Sequence, residues 1–224
     1  MSQTFLLLGG SGRTGSLVTL QALDAGHHVR ALVRNPAKIA QSHQNLTLIH
    51  GTPENAQDIA TAMQGCDAVI NTLNNGRASD SPFAKLVNSD RLLTQIMTAT
   101  IAAMKDQGLR RIVSLGVAGA HDSFDTAPWV MRMLIKHSNL SQAYGDHEAV
   151  EIALQQSQLD WTVGRAMMLG VKPGTAPVIE SYVQAGKNQP KPAMQISRAS
   201  AAAWLIDAVA REDLIGRAPL ISQK

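Results

Sequence analysis

Short aliphatic runs alternate along this chain with longer stretches in which apolar residues recur every three or four positions. Short runs of apolar and β-branched residues, bounded by glycine or polar side chains, read as strands buried on both faces. Such runs stand at Thr4–Leu8, His28–Val33, Leu46–His50, Ala68–Thr72, Arg111–Leu115 and Asp160–Val163. The intervening segments carry a helical period. Thr14–Ala25 places Leu17, Leu20, Ala22 and Leu23 on its stripe and stops at Gly26, and Asn55–Gln64 places Ile59, Ala60 and Met63 and stops at Gly65. A long helical stretch from about Phe83 to Gln107 is closed by Gly108, Gly145–Ser157 packs Val150, Ile152, Ala153 and Leu154, and Arg198–Arg211 is rich in alanine. Strand and helix alternating at roughly 30-residue spacing is the pattern of βαβ units. The expected fold is α/β, a doubly wound parallel sheet of six to seven strands. After residue 165 the pattern weakens around Pro173, Pro177, Pro190 and Pro192, with Val178–Val183 and Leu220–Ile221 as candidate further strands. This C-terminal extension is too small for its own core and is expected to pack on the main sheet, giving one domain over residues 1–224.

The sharpest local signal follows the first strand. Gly9-Gly10-Ser11-Gly12-Arg13-Thr14-Gly15 opens the first helix, with glycines at every third position. Gly9 makes a tight turn, Gly12 lets the backbone approach a pyrophosphate, and Gly15 permits close packing behind it. Ser11, Arg13 and Thr14 complete a loop whose helix N-terminus offers N–H groups and a positive dipole end to phosphates. The turn therefore predicts a Rossmann-like dinucleotide site. At the end of the second strand, where an acid would bond a ribose 2′-OH, stands Arg34, with Lys38 one helical turn later. Together with Arg13 these cations suit a 2′-phosphate, so NADP(H) is the expected cofactor.

Composition narrows the class without changing it. Hydrophobic residues make up 45% and charged residues 17%, a globular balance, and aromatics at 4% imply an aliphatic core. The single cysteine, Cys66, excludes a disulfide framework and suits a reducing, cytoplasmic setting. Phe5–Leu8 is too short an apolar run for a leader or a span, so no membrane association is expected. The net charge of +3 is not clustered, which argues against nucleic acid and suits a small anionic ligand. His121 and His137 lack partners at zinc-like spacing, and no metal site is expected.

The segment FLLLGGSGRTGSLVTLQALDAGHHVRALVRNPAKI resembles the N-terminus of the atypical short-chain dehydrogenase/reductases, the NmrA-like or NAD(P)H-binding group. Arg111-Ile112-Val113-Ser114-Leu115-Gly116, SQLDWTVGRA and ISRASAAAWLIDAV match later stretches of that group, so the resemblance spans nearly the whole chain. Asp146-His147, with Ser157-Gln158-Leu159 further on, is similar to the biliverdin-IXβ/flavin reductases. That likeness implies a small NADPH-dependent reductase without a separate substrate domain, and the chain length argues against the extended sugar-nucleotide epimerases. Departures are equally informative. The family's catalytic serine position falls on Gly116 or Val117, Ser114 comes too early, and Tyr144 is followed four positions on by Glu148 where lysine is usual. Thr52 replaces an acid after the third strand, Ala166 a proline, and Ser200 an acid. The Ser-Tyr-Lys triad is absent.

Flavins and quinones accept a hydride with little help, so loss of the triad is compatible with their reduction. His147, an imidazole expected to titrate near neutrality, and Tyr144 are the candidate proton donors. Ligand walls are expected at the carboxyl ends of the strands: Leu73 and Asn74 after the fourth and Gly116 after the fifth toward the cofactor, with Val117, Met167 and Met168 toward the substrate. Residues from about 166 to 224 would complete that pocket. The stretch 118–143 carries Trp129, Met131, Met133 and Leu134, a helical stripe that reads either as a lid or as an ordinary packed helix. Two functions follow: an NADPH-dependent reductase of a flavin, quinone or similar planar acceptor, or a non-catalytic NADP-sensing NmrA-like regulator. A small-molecule acceptor is the expected partner, and a monomer is preferred over a dimer.

Overall fold

Phe5 and Leu7 of the first strand point to one side of the sheet and Leu6 and Leu8 to the other, and all four are buried. Each such side chain contributes roughly 1.5–3 kcal/mol through burial. The computed structural model describes residues 1–39, 41–79, 81–87, 89, 91–171, 174–183 and 189–223. Its elements are β1 (Thr4–Leu8), α1 (Gly15–Asp24), β2 (His28–Val33), β3 (Leu46–His50), α2 (Ala56–Met63), β4 (Ala68–Asn71), α3 (Leu92–Asp106) and β5 (Arg111–Val117). There follow α4 (Trp129–His137), α5 (Leu140–Gln156), β6 (Asp160–Ala166), β7 (Met168–Gly170), β8 (Ile179–Ser181), β9 (Gln195–Ser197), α6 (Arg198–Ala210) and β10 (Leu220–Ser222).

The main sheet runs β3-β2-β1-β4-β5-β6-β10-β8, parallel throughout except for the antiparallel edge strand β8. Helices α1 and α6 cover one face through Val18, Ala22, Ala201 and Leu205; α2, α3 and α5 cover the other through Ile59, Met97, Met104 and Leu154. The doubly wound plan is as read from the pattern, with eight strands in place of six or seven. The C-terminal segment packs on the sheet as expected, and β10 inserts beside β6 in parallel register, Leu220 opposite Arg165. Two short strands, β7 and β9, pair outside the main sheet. At three residues each they carry too little periodicity to register in a sequence window.

Two helices start elsewhere than the glycine and polar punctuation suggested. The helix expected from Phe83 begins at Leu92. Residues 76–79 and 81–87 instead lie against one another, Arg77 bridging Leu86 and the Val87 N–H donating to Gly76 O at 2.9 Å, while Phe83 and Val87 stay exposed. Helix α5 begins at Leu140 rather than at Gly145, which lies inside it; a Cβ at Gly145 would meet nothing within 4 Å, so this glycine marks no boundary. No helix among the described residues is long and apolar enough to cross a membrane.

Candidate functional site

The order of the sheet puts β1 between β2 and β4, so the chain leaves in opposite directions on either side of β1 and opens a crevice at its carboxyl end. The glycine turn sits there. Gly9 has φ +85°, and a Cβ on it would lie 2.8 Å from Thr72 Oγ1 and 3.0 Å from the Leu73 nitrogen. A Cβ on Gly15 would lie 2.1 Å from Gly9 O, closer than any side chain tolerates. Both positions are thus glycine because turn, helix and the end of β4 touch. Gly12 differs: apart from Gly9 O at 3.1 Å, a Cβ there would meet nothing, and the residue is exposed. Its missing side chain leaves room on the solvent side, as a pyrophosphate cradle requires. Ser11 and Arg13 are exposed beside it, and Thr14, the N-cap of α1, is buried without a side-chain capping bond.

Arg34 is exposed immediately after β2, where Asn35 caps the short turn Pro36–Lys38 by accepting the Ala37 N–H at 3.1 Å. The Lys38 side chain lies outside the described residues. After β3, a carboxylate from another element stands beside Thr52: Asp58 of α2 accepts the Thr52 N–H at 2.9 Å. That carboxylate was invisible to a reading that looked only at the strand's own continuation.

At the end of β4, Asn71 donates to Ser114 Oγ at 2.9 Å, which fixes Ser114 within the buried sheet and away from the crevice. Leu73 is half-buried and Asn74 exposed. Asn74 Oδ1 accepts the Asn75 N–H at 2.8 Å and lies 3.1 Å from His147 Nε2. Since that oxygen only accepts, His147 carries its hydrogen on Nε2. Burial lowers the pKa of His147 to about 4, with the Asp146 carboxylate opposing in part. The expectation that His147 titrates near neutrality is therefore corrected: the ring is neutral at pH 7, because water is stripped from its charged form.

Asp146 is buried in mid-α5 and caps the N-terminus of α3. It accepts the Leu93 N–H at 2.8 Å, the Thr94 N–H at 2.9 Å, the Thr94 hydroxyl at 2.5 Å and Asn75 Nδ2 at 3.1 Å. Four donors and a helix dipole converge on one carboxylate. Asn75 Oδ1 is left buried with no bonding partner among the described residues.

Tyr144, one helical turn before His147 and Glu148, lines a cleft of about 360 Å³ beyond β5 with His121, Phe124, Lys136 and Glu148. Gly119, at φ +93°, makes room for it: a Cβ there would lie 3.3 Å from Tyr144 Cε1. Burial raises the Tyr144 pKa against a lowering by Arg77, so the phenol keeps its proton. The Lys136 ammonium stands 5.3 Å from the centre of the Phe124 ring. Gly116 is required by packing, since a Cβ on it would lie 2.6 Å from Val163 Cγ1, and Val117 ends β5 half-buried. Met167 is half-buried beyond β6, while Met168 is 65% exposed on β7. Of the stretch 118–143, Ile135 is buried and α4 packs on α5, whereas Trp129 is 70% exposed.

Behind the cleft lies a charge cluster that sequence reading missed. Arg165 of β6 and Glu151 of α5 are both buried and form a forked pair, Nε to Oε2 at 3.0 Å and a second bond from Nη2 to Oε1; Arg165 Nη2 also reaches Asp122 Oδ1 at 2.5 Å. The signal was present, as two charged residues stand inside an apolar strand and on the buried face of a helix. Among the described residues, His121, Asp122 and Glu151 bring potential ligand atoms within 4.8 Å of one another, but Arg165 already bonds both carboxylates.

Comparison with known proteins adds the family. The model described as NAD(P)H-binding matches residues 9–212. The uncharacterized sugar epimerase YhfK of Bacillus subtilis is 29% identical over 178 residues, 77% of this chain and 75% of that one. The two chains are of similar length, so length alone does not set this one apart from a relative with an epimerase name. Photosystem II assembly factor Ycf39 of Synechocystis is 27% identical over 218 residues, covering 92% of this chain but only 60% of the relative. Among solved structures, the anaerobillin reductase ChuY of Escherichia coli O157:H7 superposes with TM-score 0.76 at 20% identity over 98% of this chain and 96% of that one. A wide-type short-chain dehydrogenase/reductase of Veillonella parvula, solved with NADP, gives 0.77 at 16% identity over 100% and 95%.

Proposed function

Because this chain belongs to the NAD(P)H-binding family, within the NmrA-like atypical short-chain dehydrogenase/reductases and so among oxidoreductases, we propose that it reduces a small planar acceptor, a flavin, quinone or related compound, with NADPH. The observation that carries this reading is the cleft. Tyr144 is protonated, lies beside the aromatic Phe124 and has Glu148 in place of the usual lysine, so it donates a hydrogen bond but is not activated as a base. An acceptor that needs orientation and a proton, rather than an activated phenolate, fits those groups. When bound, the reduced nicotinamide supplies a hydride, and the protein orients donor and acceptor.

The turn at Gly9, Ser11, Gly12, Arg13, Thr14 and Gly15 holds the pyrophosphate. Arg34, with Arg13 and Lys38, takes the ribose 2′-phosphate; an NADP-bound neighbour supports that choice. Leu73, Asn74 and Gly116 line the cofactor side, and Val117, Met167 and Met168 the acceptor side. Within this scheme His147 works on Asn74: its Nε2–H holds the amide oxygen and thereby sets the loop after β4. Residues from about 166 onward complete the pocket of one NAD(P)-binding domain that functions as a monomer. The reductase name of one structural neighbour supports the reaction class.

The test is oxidation of NADPH, followed at the nicotinamide absorbance band, with FMN, dichloroindophenol, quinones and biliverdin in turn. Turnover with at least one supports the reading. Tight NADPH binding with no oxidation by any of them would favour an NADP-sensing regulator, the alternative that the missing serine and lysine suggest.

A further inference from the structure

We propose that the proton consumed in the reaction is delivered by His121, positioned at the cleft by the buried chain Glu151–Arg165–Asp122; the inference rests on the reductase reading above. His121 follows β5 in the turn His121–Thr126 and lines the cleft with Tyr144. Its backbone is held at φ +51°, a left-handed conformation uncommon outside glycine in which histidine, like Asn and Asp, is among the residues found most often. The ring is fixed as well. Nδ1 accepts the Asp122 N–H at 2.7 Å, which leaves the hydrogen on Nε2, and the Asp122 carboxylate stands 3.6 Å from the same Nδ1. Asp122 is in turn held by Arg165, and Arg165 by Glu151.

Folding alone gives little reason for this arrangement. A buried arginine with two carboxylates is often no more stable than apolar residues of the same volume. What it secures is the orientation of one half-exposed imidazole at the end of a sheet, within reach of both cleft and water. His147 lacks that freedom, since its Nε2–H is committed to Asn74. The other charged groups lining the cleft are Asp125, Lys136 and Glu148, and Arg77 acts on Tyr144.

At rest the ring carries its hydrogen on Nε2; a proton from water adds at Nδ1, where the ring exchanges the Asp122 N–H for the Asp122 carboxylate. The acceptor would gain two electrons and one hydrogen as hydride from the bound reduced nicotinamide, which is oxidised, and the anion so formed takes the Nε2 proton of His121. The ring is left neutral with its hydrogen on Nδ1, and uptake of a proton from water at Nε2 with loss of the one at Nδ1 restores the resting tautomer, so one proton from water is consumed in each turnover.

The experiment compares the full chain with His121→Asn, which keeps the left-handed backbone, and His121→Gly, which opens space beside Tyr144. With NADPH and the best acceptor of the panel, kcat should fall about 100-fold in both, with KM for NADPH unchanged, and added imidazole should restore rate to the glycine variant. Histidine-selective ¹⁵N NMR of the protein without cofactor should show His121 as the Nε2–H tautomer. A kcat within about threefold of the parent in His121→Asn, no imidazole rescue, or an Nδ1–H tautomer would overturn the proposal. If the parent protein oxidises no NADPH with any acceptor, the reductase reading falls and takes this one with it. If the parent turns over and His121→Asn does so equally, this proposal falls alone.

Discussion

Holding His147 neutral leaves a signature in how stability depends on pH. The ring is an ordinary imidazole in the unfolded chain, near 6.5, and titrates at about 4 when folded. Between those values the unfolded chain binds a proton that the folded protein refuses. Stability conferred by the neutral ring is therefore complete above about pH 6.5 and is lost as pH falls toward 4. The gap from 6.5 to about 4, at ~1.4 kcal/mol per pH unit, amounts to about 3 kcal/mol by pH 4. Carboxylates titrate in the same range, and burial also lowers the pKa of His27, so wild-type data alone do not isolate the effect. The difference between the parent and His147→Asn does. Urea denaturation of both at pH 7.5, 6.5, 5.5 and 4.5 should show the parent losing its advantage over the variant as pH falls, by about 2–3 kcal/mol across the series. Two stability curves that run parallel over that range would refute the burial argument and return His147 to the list of proton donors.

Three further outcomes are expected. Arg34→Ala should raise KM for NADPH at least about tenfold while leaving KM for NADH within about twofold, because only the former carries the phosphate the guanidinium would fork; equal losses in steady-state kinetics would remove Arg34 from the cofactor site. Asp146→Asn replaces the carboxylate on which the start of α3 rests and should cost about 2 kcal/mol, with hydrogen exchange accelerated at the Leu93 and Thr94 amides; unchanged protection there would deny the cap. Glu151→Gln should destabilise the protein by about 3 kcal/mol by leaving Arg165 underpaired, and Glu151→Leu combined with Arg165→Met should recover part of it in the same melts, whereas a double variant weaker than the single would contradict that account.

The parts of this molecule legible in sequence are those that depend on local repetition. The first three strands and the turn from Gly9 to Gly15 declared themselves, because alternation, glycine spacing and strand-to-helix order are all set within a few residues. The start of α3 was not legible. Its first turn is stabilised by a carboxylate from α5, more than fifty positions away, and no window of the sequence joins the two. The same holds for Asp58 beside Thr52 and for Arg165 between Glu151 and Asp122, where each charge has its reason on another element. His147 shows the reverse case. Its place on a helix followed from the motif, but its protonation is decided by burial, which a motif does not carry.

The cap on α3 has a consequence for how this chain tolerates change. A helix whose first turn is anchored by its own preceding residues shifts when that connection is lengthened or shortened. Here the first turn is anchored by Asp146, on a different helix, as well as by Ser89, whose carbonyl accepts the Leu92 N–H at 3.3 Å, so the chain before Ser89 does not by itself set the position of α3. Lengthening a surface connection is entropically mild, roughly 0.6 kcal/mol for each doubling. This segment brings Arg77 toward Tyr144. It is therefore a place where insertion, deletion or graft is tolerated while the sheet and the glycine turn keep their geometry.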